Sequence, residues 1–330
     1  MAANESSTTK PADEPNSDRY FTPRLNLQNA GRTAVAHLLL AKSLFQSGRH
    51  SQALVEVDAG LRENPELASG HFLKGLLLAA RADLTGARES LEWAVRLDPE
   101  QAGPWLALGY VAVELGLYDQ ALAALDRSLQ LDDQQAQAHF LRGNVLVFLK
   151  RPADAMTAYR EALARNPQLT TARFKLGRLL ADAGAVDEAI QQIIVAQRFN
   201  PTNPNSRMAL GDLFVKLGRL DEAIQEYKAA VDLRPMQALP YVKLGQTYLA
   251  RGQAVEATIV FQTALRLDNK QMDAYLNLGR IYLAQNRHDE SIELFQTAVK
   301  VDQRFPEAAA LLERAKQARE ERAASPPPPS

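Results

Sequence analysis

The sequence predicts an all-α fold, an α-solenoid of stacked antiparallel helical hairpins, and three observations carry that prediction. Glycine recurs at Gly75, Gly109, Gly143, Gly177, Gly211, Gly245 and Gly279 at one constant interval, and Ala41 continues the series one step upstream. Twelve positions after each of these stands another small residue: Ala53, Ala87, Ala121, Ala155, Ala189, Ala223, Ala257 and finally Ser291. Turn-forming residues fall between these marks in the same rhythm. A fixed period of roughly 20–50 residues marks architectures in which each unit buries its apolar face only by stacking on its neighbours.

The first helix of each unit is the one that carries the glycine, within runs such as RFKLGRLLADAG that otherwise read as helix. Glycine in a helix interior costs about 0.5–1 kcal/mol relative to alanine. A cost repeated at seven positions implies a shared packing need, namely the close approach of a second helix. That second helix carries three rows at spacing i, i+4, i+7, which share one face. The small row above is followed by a bulkier row (Val57, Leu91, Leu125, Tyr159, Ile193, Tyr227, Phe261 and Phe295) and then by a second small row (Gly60, Ala94, Ser128, Ala162, Ala196, Ala230, Ala264 and Ala298). The helices of a hairpin are therefore expected to meet at small residues and interlock at large ones.

Gly48, Gly116, Gly184, Gly218, Gly252 and Asn286 stand where the first helix should end in a left-handed cap. Asn64-Pro65, Asp98-Pro99, Asn166-Pro167 and Asn200-Pro201 close the second, because the residue before proline resists the helical conformation. Eight contiguous units result: 34–67, 68–101, 102–135, 136–169, 170–203, 204–237, 238–271 and 272–305. Beyond them, 306–323 repeats the first-helix pattern and turns highly charged, as a capping helix with one face on the stack and one in water requires. Residues 1–33 read as a mostly disordered polar tail, and 324–330, containing SPPPPS, as an extended proline-rich tail.

Composition narrows the function. The formal net charge of -1 supplies no field to draw the chain to nucleic acid or to an anionic membrane. There are no cysteines, hence no disulfides, thiolate nucleophiles or cysteine-based zinc sites. The most apolar stretches, such as VAHLLLAKSLF at 35–45, are interrupted by charge far short of the roughly 20 residues a membrane span needs. The N-terminus MAANESSTTKPADEPNSD has no apolar core of a signal peptide, so a cytoplasmic protein without membrane insertion is expected.

Nothing in the sequence suggests catalysis. It holds no P-loop, GxGxxG, HExxH or GxSxG motif, and every hairpin residue is committed to stacking or to a solvated face. The histidines His37, His71 and His139 share one position of the period, occupied elsewhere by Trp105, Tyr241 and Tyr275. Equivalent positions of stacked hairpins lie on the order of 10 Å apart, whereas zinc needs nitrogens at about 2.0–2.1 Å. They read as half-buried aromatic substitutes, and neither metal nor cofactor is expected.

At this point the chain resembles the tetratricopeptide repeat family, whose pattern W-x2-L-G-x2-Y…A-x3-F…P recurs in units of about 34 residues. Leu210-Gly211, Phe214, Ala223, Tyr227, Ala230 and Pro235 give the best single match. The resemblance implies a right-handed superhelix whose concave side is lined by the first helices through positions 2, 5, 6, 9, 12 and 13 of each repeat. On that reading the candidate peptide-binding residues are Phe72, Leu106, Tyr110, Phe140, Asn144, Phe148, Phe174, Lys175, Arg178, Met208, Lys216, Lys243, Asn277 and Arg280. The N-terminal half of the groove would take an apolar or amphipathic segment, and the C-terminal half would prefer acidic groups.

The carboxylate clamp of chaperone-binding relatives is missing, since Asn144 has Phe140 where the clamp needs lysine. The asparagine ladder of the O-GlcNAc transferase arrays is reduced to Asn277. The expected function is a non-enzymatic scaffold or adaptor for a protein or peptide partner. The alternative is a regulatory or targeting subunit of an enzyme, or of a secretion, pilus or glycosylation assembly, that docks through its outer face or tails. Self-association through the array ends is open on either reading.

Two stretches, HFLKG at 71–75 and HFLRG at 139–143, place a cation where the other six repeats carry leucine. Their stems are expected to pack while the charged heads reach the seam between repeats. Glu63 is the expected partner of Lys74, and no counter-charge for Arg142 can be assigned from the period.

Overall fold

A computed structural model describes residues 25, 31–302 and 305–324 of the chain. The expected disorder of the N-terminal tail through residue 30 and the extended SPPPPS tail lie outside the described residues. The described residues form helices α1 to α17 joined by short turns. Two compact units divide between Ala172 and Arg173, within α9.

The first unit contains α1 (Arg32–Gln46), α2 (His50–Glu63), α3 (Ala68–Ala80), α4 (Leu84–Leu97), α5 (Ala102–Glu114), α6 (Tyr118–Leu131), α7 (Ala136–Phe148) and α8 (Pro152–Arg165). Each odd-numbered helix pairs with the even-numbered helix that follows it, and α2, α4 and α6 then pack on α3, α5 and α7. The odd helices also touch each other directly, α1 with α3, α3 with α5 and α5 with α7. They form the more tightly spaced layer, which is the inner side of a curved stack.

The second unit contains the rest of α9 (Thr170–Asp182), then α10 (Val186–Phe199), α11 (Pro204–Lys216), α12 (Leu220–Leu233), α13 (Ala238–Ala250), α14 (Ala254–Leu267), α15 (Met272–Ala284), α16 (His288–Val301) and α17 (Pro306–Ala324). The same pairing runs through α11/α12, α13/α14 and α15/α16, with direct contacts between α13 and α15 and between α15 and α17. α17 buries Ala308 and Ala315, with Leu311 and Leu312 partly buried, in the cluster around Phe295 and Ala298. Helix begins at Arg32 and runs to Ala324, one or two residues beyond the boundaries set by the period.

The glycine row is pressed chiefly by the bulky row, and at Gly75, Gly109 and Gly177 also by the backbone carbonyls of Ala87, Ala121 and Ala189 in the small row. A methyl group added at Gly143 would lie 2.5 Å from Tyr159 Cε1, and one at Gly279 would lie 2.5 Å from Phe295 Cε1. Leu91, Leu125, Ile193, Tyr227 and Phe261 press in the same way on Gly75, Gly109, Gly177, Gly211 and Gly245. Tyr159, Tyr227, Phe261 and Phe295 are the largest fully buried side chains of the described residues. Burying a side chain of this size stabilises by roughly 1.5–3 kcal/mol, more than the propensity each glycine forgoes. Ala41 is tolerated in the first hairpin because the row there holds only Val57. Two hydroxyls in the small rows are satisfied by carbonyls, Ser128 Oγ donating to Ala102 O and Ser291 Oγ to Gly279 O, each at 2.9 Å.

The first helices end in the left-handed region at Gly48, Gly116, Gly184, Gly218, Gly252 and Asn286, as the punctuation predicts. Ala82 (φ 63°) and Lys150 (φ 59°) adopt the same conformation at the same position of the period. The sequence hid these two because the hydrogen-bond pattern of the cap outweighs the preference of a single residue. Asp83 N–H donates to Leu78 O at 2.9 Å and Arg151 N–H to Leu146 O at 2.8 Å.

Candidate protein-interaction surface

The inner face of each unit is built from odd-numbered helices, and the structure separates the sequence-predicted residues into three groups. Phe72 (3%), Leu106 (6%) and Phe140 (4%) are buried. Phe72 reaches toward Gly103 of α5, and the Phe140 ring lies 6.0 Å from that of Tyr159. These side chains join neighbouring helices and leave almost no surface to a ligand.

A second group is accessible. In the first unit Tyr110 and Asn144 are half-buried and Phe148 is 54% exposed. Asn144 Oδ1 accepts a hydrogen bond from Tyr159 OH at 2.9 Å, and the Phe148 ring stacks on Tyr118 at 4.7 Å. Leu39 and Val147 are exposed on the same helix layer. In the second unit Phe174, Lys175 and Met208 are half-buried, while Arg178 and Lys216 are exposed.

A third group is engaged in bonds along the inner layer of the second unit. Lys243 Nζ lies 3.1 Å from Asp212 Oδ1, which also accepts from Tyr227 OH at 2.7 Å. Gln246 Nε2 donates to Asp273 Oδ2 at 3.3 Å, Asn277 Nδ2 donates to Asp273 O at 2.7 Å, and Arg280 pairs with Glu307. Lys243 and Arg280, expected to attract an acidic ligand, are thus neutralised by the chain itself. Burial of the Tyr227 hydroxyl, its bond to Asp212 and that carboxylate's charge all push its pKa up.

The histidines behave as aromatic substitutes with a polar edge. Nε2 of His71 lies 2.8 Å from Pro65 O, and Nε2 of His139 lies 3.0 Å from Asp133 O. Trp105 Nε1 donates to Pro99 O at 2.9 Å, and Tyr241 OH donates to Pro235 O at 3.1 Å. All four rings reach a carbonyl six positions upstream, so each histidine carries its proton on Nε2. His139 Nδ1 lies 3.0 Å from Glu161 Oε2 but out of line for a hydrogen bond. In the first repeat His37 Nδ1 instead bonds Glu56 at 2.7 Å, and Arg207 reaches Glu226 at 3.0 Å from the equivalent position. Among the described residues no group of three or more His, Cys, Asp or Glu could hold a metal ion.

The seam between repeats corrects one expectation. Lys74 Nζ pairs with Asp58 Oδ1 at 2.8 Å rather than with Glu63, and Arg142 Nε donates to Asp126 Oδ1 at 2.6 Å. Sequence reading also missed Tyr118, and it missed the exposed Trp93, which stacks on His71 at 5.9 Å beneath the Arg96 guanidinium.

The family model for the tetratricopeptide repeat matches residues 38–102, 72–136, 106–170 and 140–204, which together span 38–204. A second model of that description matches 248–315, and a TPR repeat model matches 211–252. The chain belongs to the tetratricopeptide repeat family. Solved structures agree in fold. A C-terminal part of a TPR repeat-containing protein from Cytophaga hutchinsonii is 14% identical with a TM-score of 0.65, over 73% of this chain and 99% of that one. PilF of Pseudomonas aeruginosa is 20% identical with a TM-score of 0.58, over 66% and 97%. YrrB, described as a TPR protein with an unusual peptide-binding site, is 24% identical with a TM-score of 0.52, over 57% and 96%. No curated protein matches the chain in sequence. The tetratricopeptide repeat is a protein-interaction scaffold, and that general role comes with the family. No helix among the described residues is long and apolar enough to cross a membrane.

Proposed function

We propose that this tetratricopeptide repeat protein is an adaptor without chemistry of its own, and that the inner face of its first unit receives an apolar or amphipathic segment of a partner protein. The supporting observation is the contrast between the two inner faces. In the second unit, cross-helix bonds from Asp212 to Lys243, Gln246 to Asp273 and Arg280 to Glu307 occupy much of the layer, with Val215 and Leu239 exposed among them and no aromatic side chain as open as Phe148. In the first unit the same layer leaves Leu39, Tyr110, Val147 and Phe148 at the surface. Exposed aromatic and aliphatic side chains grouped on one face are what a peptide-binding surface uses.

Alanine at Tyr110 and Phe148 tests the reading, because both side chains keep solvent contact and their loss leaves the fold in place. A quantitative pull-down from the source organism's lysate is expected to lose at least tenfold of the partner retained by the unaltered chain. Equal retention, with an unchanged thermal transition, would refute it.

A second reading, docking of a regulatory or targeting subunit through the outer face, is favoured by Val255 (69% exposed) and Ile259 (58%). They lie one turn apart on the side of α14 away from the buried Phe261. Serine at both positions removes the partner on that reading and leaves it bound on the first.

A further inference from the structure

The inner layer of the second unit closes on itself by a repeated contact, and at α9 that contact is left open. Position 9 of the period reads Arg178, Asp212, Gln246 and Arg280 in this unit. Arg280 of α15 pairs with Glu307 of α17, and Gln246 of α13 donates to Asp273 of α15, each reaching a residue 27 positions further along the chain. Both acids stand in the first turn of the next inner helix. Asp212 of α11 is held differently, by Lys243 at position 6 of the following repeat, at 3.1 Å.

Arg178 has neither kind of partner. The residue 27 positions after it is Asn205, which is neutral, and α11 carries no acid in its first turn. Position 6 of α11 is Ala209, too short to reach back as Lys243 reaches Asp212. Asp182 lies one turn further along α9 and forms no ion pair with Arg178. Among the described residues Arg178 makes no hydrogen bond or ion pair, and both Arg178 and Asn205 are exposed.

We propose that a glutamate or aspartate side chain of a partner segment fills this open position, its carboxylate held by the Arg178 guanidinium and the Asn205 amide as Glu307 is held by Arg280. The internal pair is the template, since it shows a carboxylate seated at the same step of the period. A guanidinium presents two parallel N–H donors that match the two oxygens of a carboxylate, and the side-chain amide of Asn205 supplies a further donor. Lys216, the other exposed cation of this layer, is less suited. It is a point charge without the fork, and it stands in the last turn of α11, where the helix dipole disfavours an anion. The site belongs to the second unit and does not rest on the surface proposed for the first.

Immobilised peptides with one glutamate in an otherwise uncharged sequence, amidated to remove the terminal carboxylate, test the assignment beside the same peptides with glutamine. The full-length protein at low salt is expected to retain some of the glutamate peptides at least fivefold better than their glutamine twins. Arg178→Gln is expected to remove that preference. Lys216→Gln, which deletes the same charge from the same layer, is expected to keep it. Asn205→Glu supplies the missing acid from within the chain, and is expected to abolish the preference without lowering the thermal transition. Absence of any glutamate preference in the unaltered chain, equal losses for Arg178→Gln and Lys216→Gln, or a preference that survives Asn205→Glu would each overturn the proposal.

Discussion

Arg142 of α7 donates from Nε to Asp126 Oδ1 of α6 at 2.6 Å, and two periods upstream Lys74 of α3 meets Asp58 of α2 at 2.8 Å. The separation of cation and acid along the chain is the same in both places, so one interaction is built twice. Four of the repeats with leucine in place of the cation bury it at this seam, at Leu176, Leu210, Leu244 and Leu278. Arg142 is only 27% exposed and Asp126 43%, so the direct attraction is worth at most about 1 kcal/mol. Losing the acid is worse than losing the pair, because a part-buried cation is then left without its partner. Asp126→Ala should destabilise by about 1 kcal/mol, and Arg142→Leu should be close to neutral. The double substitution should recover most of the loss in a urea-unfolding cycle. Strictly additive effects would sink the account.

The size match between the glycine row and the bulky row makes a second prediction. A methyl at Gly109 would sit 2.7 Å from Leu125 Cγ, so Gly109→Ala overpacks the hairpin despite its better helix propensity. Overpacking of this kind typically costs about 1–3 kcal/mol, about 1 kcal/mol of which the propensity gain offsets. Gly109→Ala should therefore lower the thermal midpoint, and adding Leu125→Val, which recreates the Ala41 and Val57 combination, should restore part of it. A single variant more stable than the parent would count against the match.

At Ala82 and Lys150 the chain holds non-glycine residues at φ near 60°. The left-handed conformation costs a residue with a Cβ roughly 1–2 kcal/mol, and glycine escapes most of that. Ala82→Gly and Lys150→Gly should each raise stability by about 0.5–1 kcal/mol, whereas glycine at a mid-helix position such as Ala112 should lower it. Calorimetry on the three variants checks the sign. If both cap variants lose stability, the caps are not strained.

These cases show how much a periodic sequence discloses. Helices, turns and the glycine contacts were legible because a demand repeated in every unit stands out against whatever each residue does for its own repeat. The partners of Lys74 and Arg142 were hidden, because they depend on which side-chain tips converge across a seam. The signal was present nonetheless: only Asp58, Glu92 and Asp126 are acidic at that position of the second helix, and two of them precede the two cations. The inner-face residues proposed for binding were the least legible part. Phe72 and Phe140 occupy positions that resemble a groove lining, yet neighbouring helices cover them, and burial depends on stacking geometry that the pattern does not encode.

The last prediction concerns pH. Burial holds the His71 imidazole below its usual pKa of 6.5 and nearby Lys74 adds to the effect, while the bond to Pro65 O opposes it. Above 6.5 the ring is neutral in both the folded and unfolded chain and contributes no pH dependence. Between 6.5 and the lower folded value the unfolded chain takes up a proton that the folded chain refuses, so stability falls as pH falls through this window. Below the folded value both states are protonated and the loss levels off. His71→Tyr keeps a donor for the same carbonyl, as Tyr241 does for Pro235, and removes the titration. Urea-unfolding free energies at several pH values between 5 and 8, compared for the two proteins, should show a shallower decline on acidification in the variant. Equal slopes would mean that His71 titrates alike in both states and that its burial carries no energetic weight.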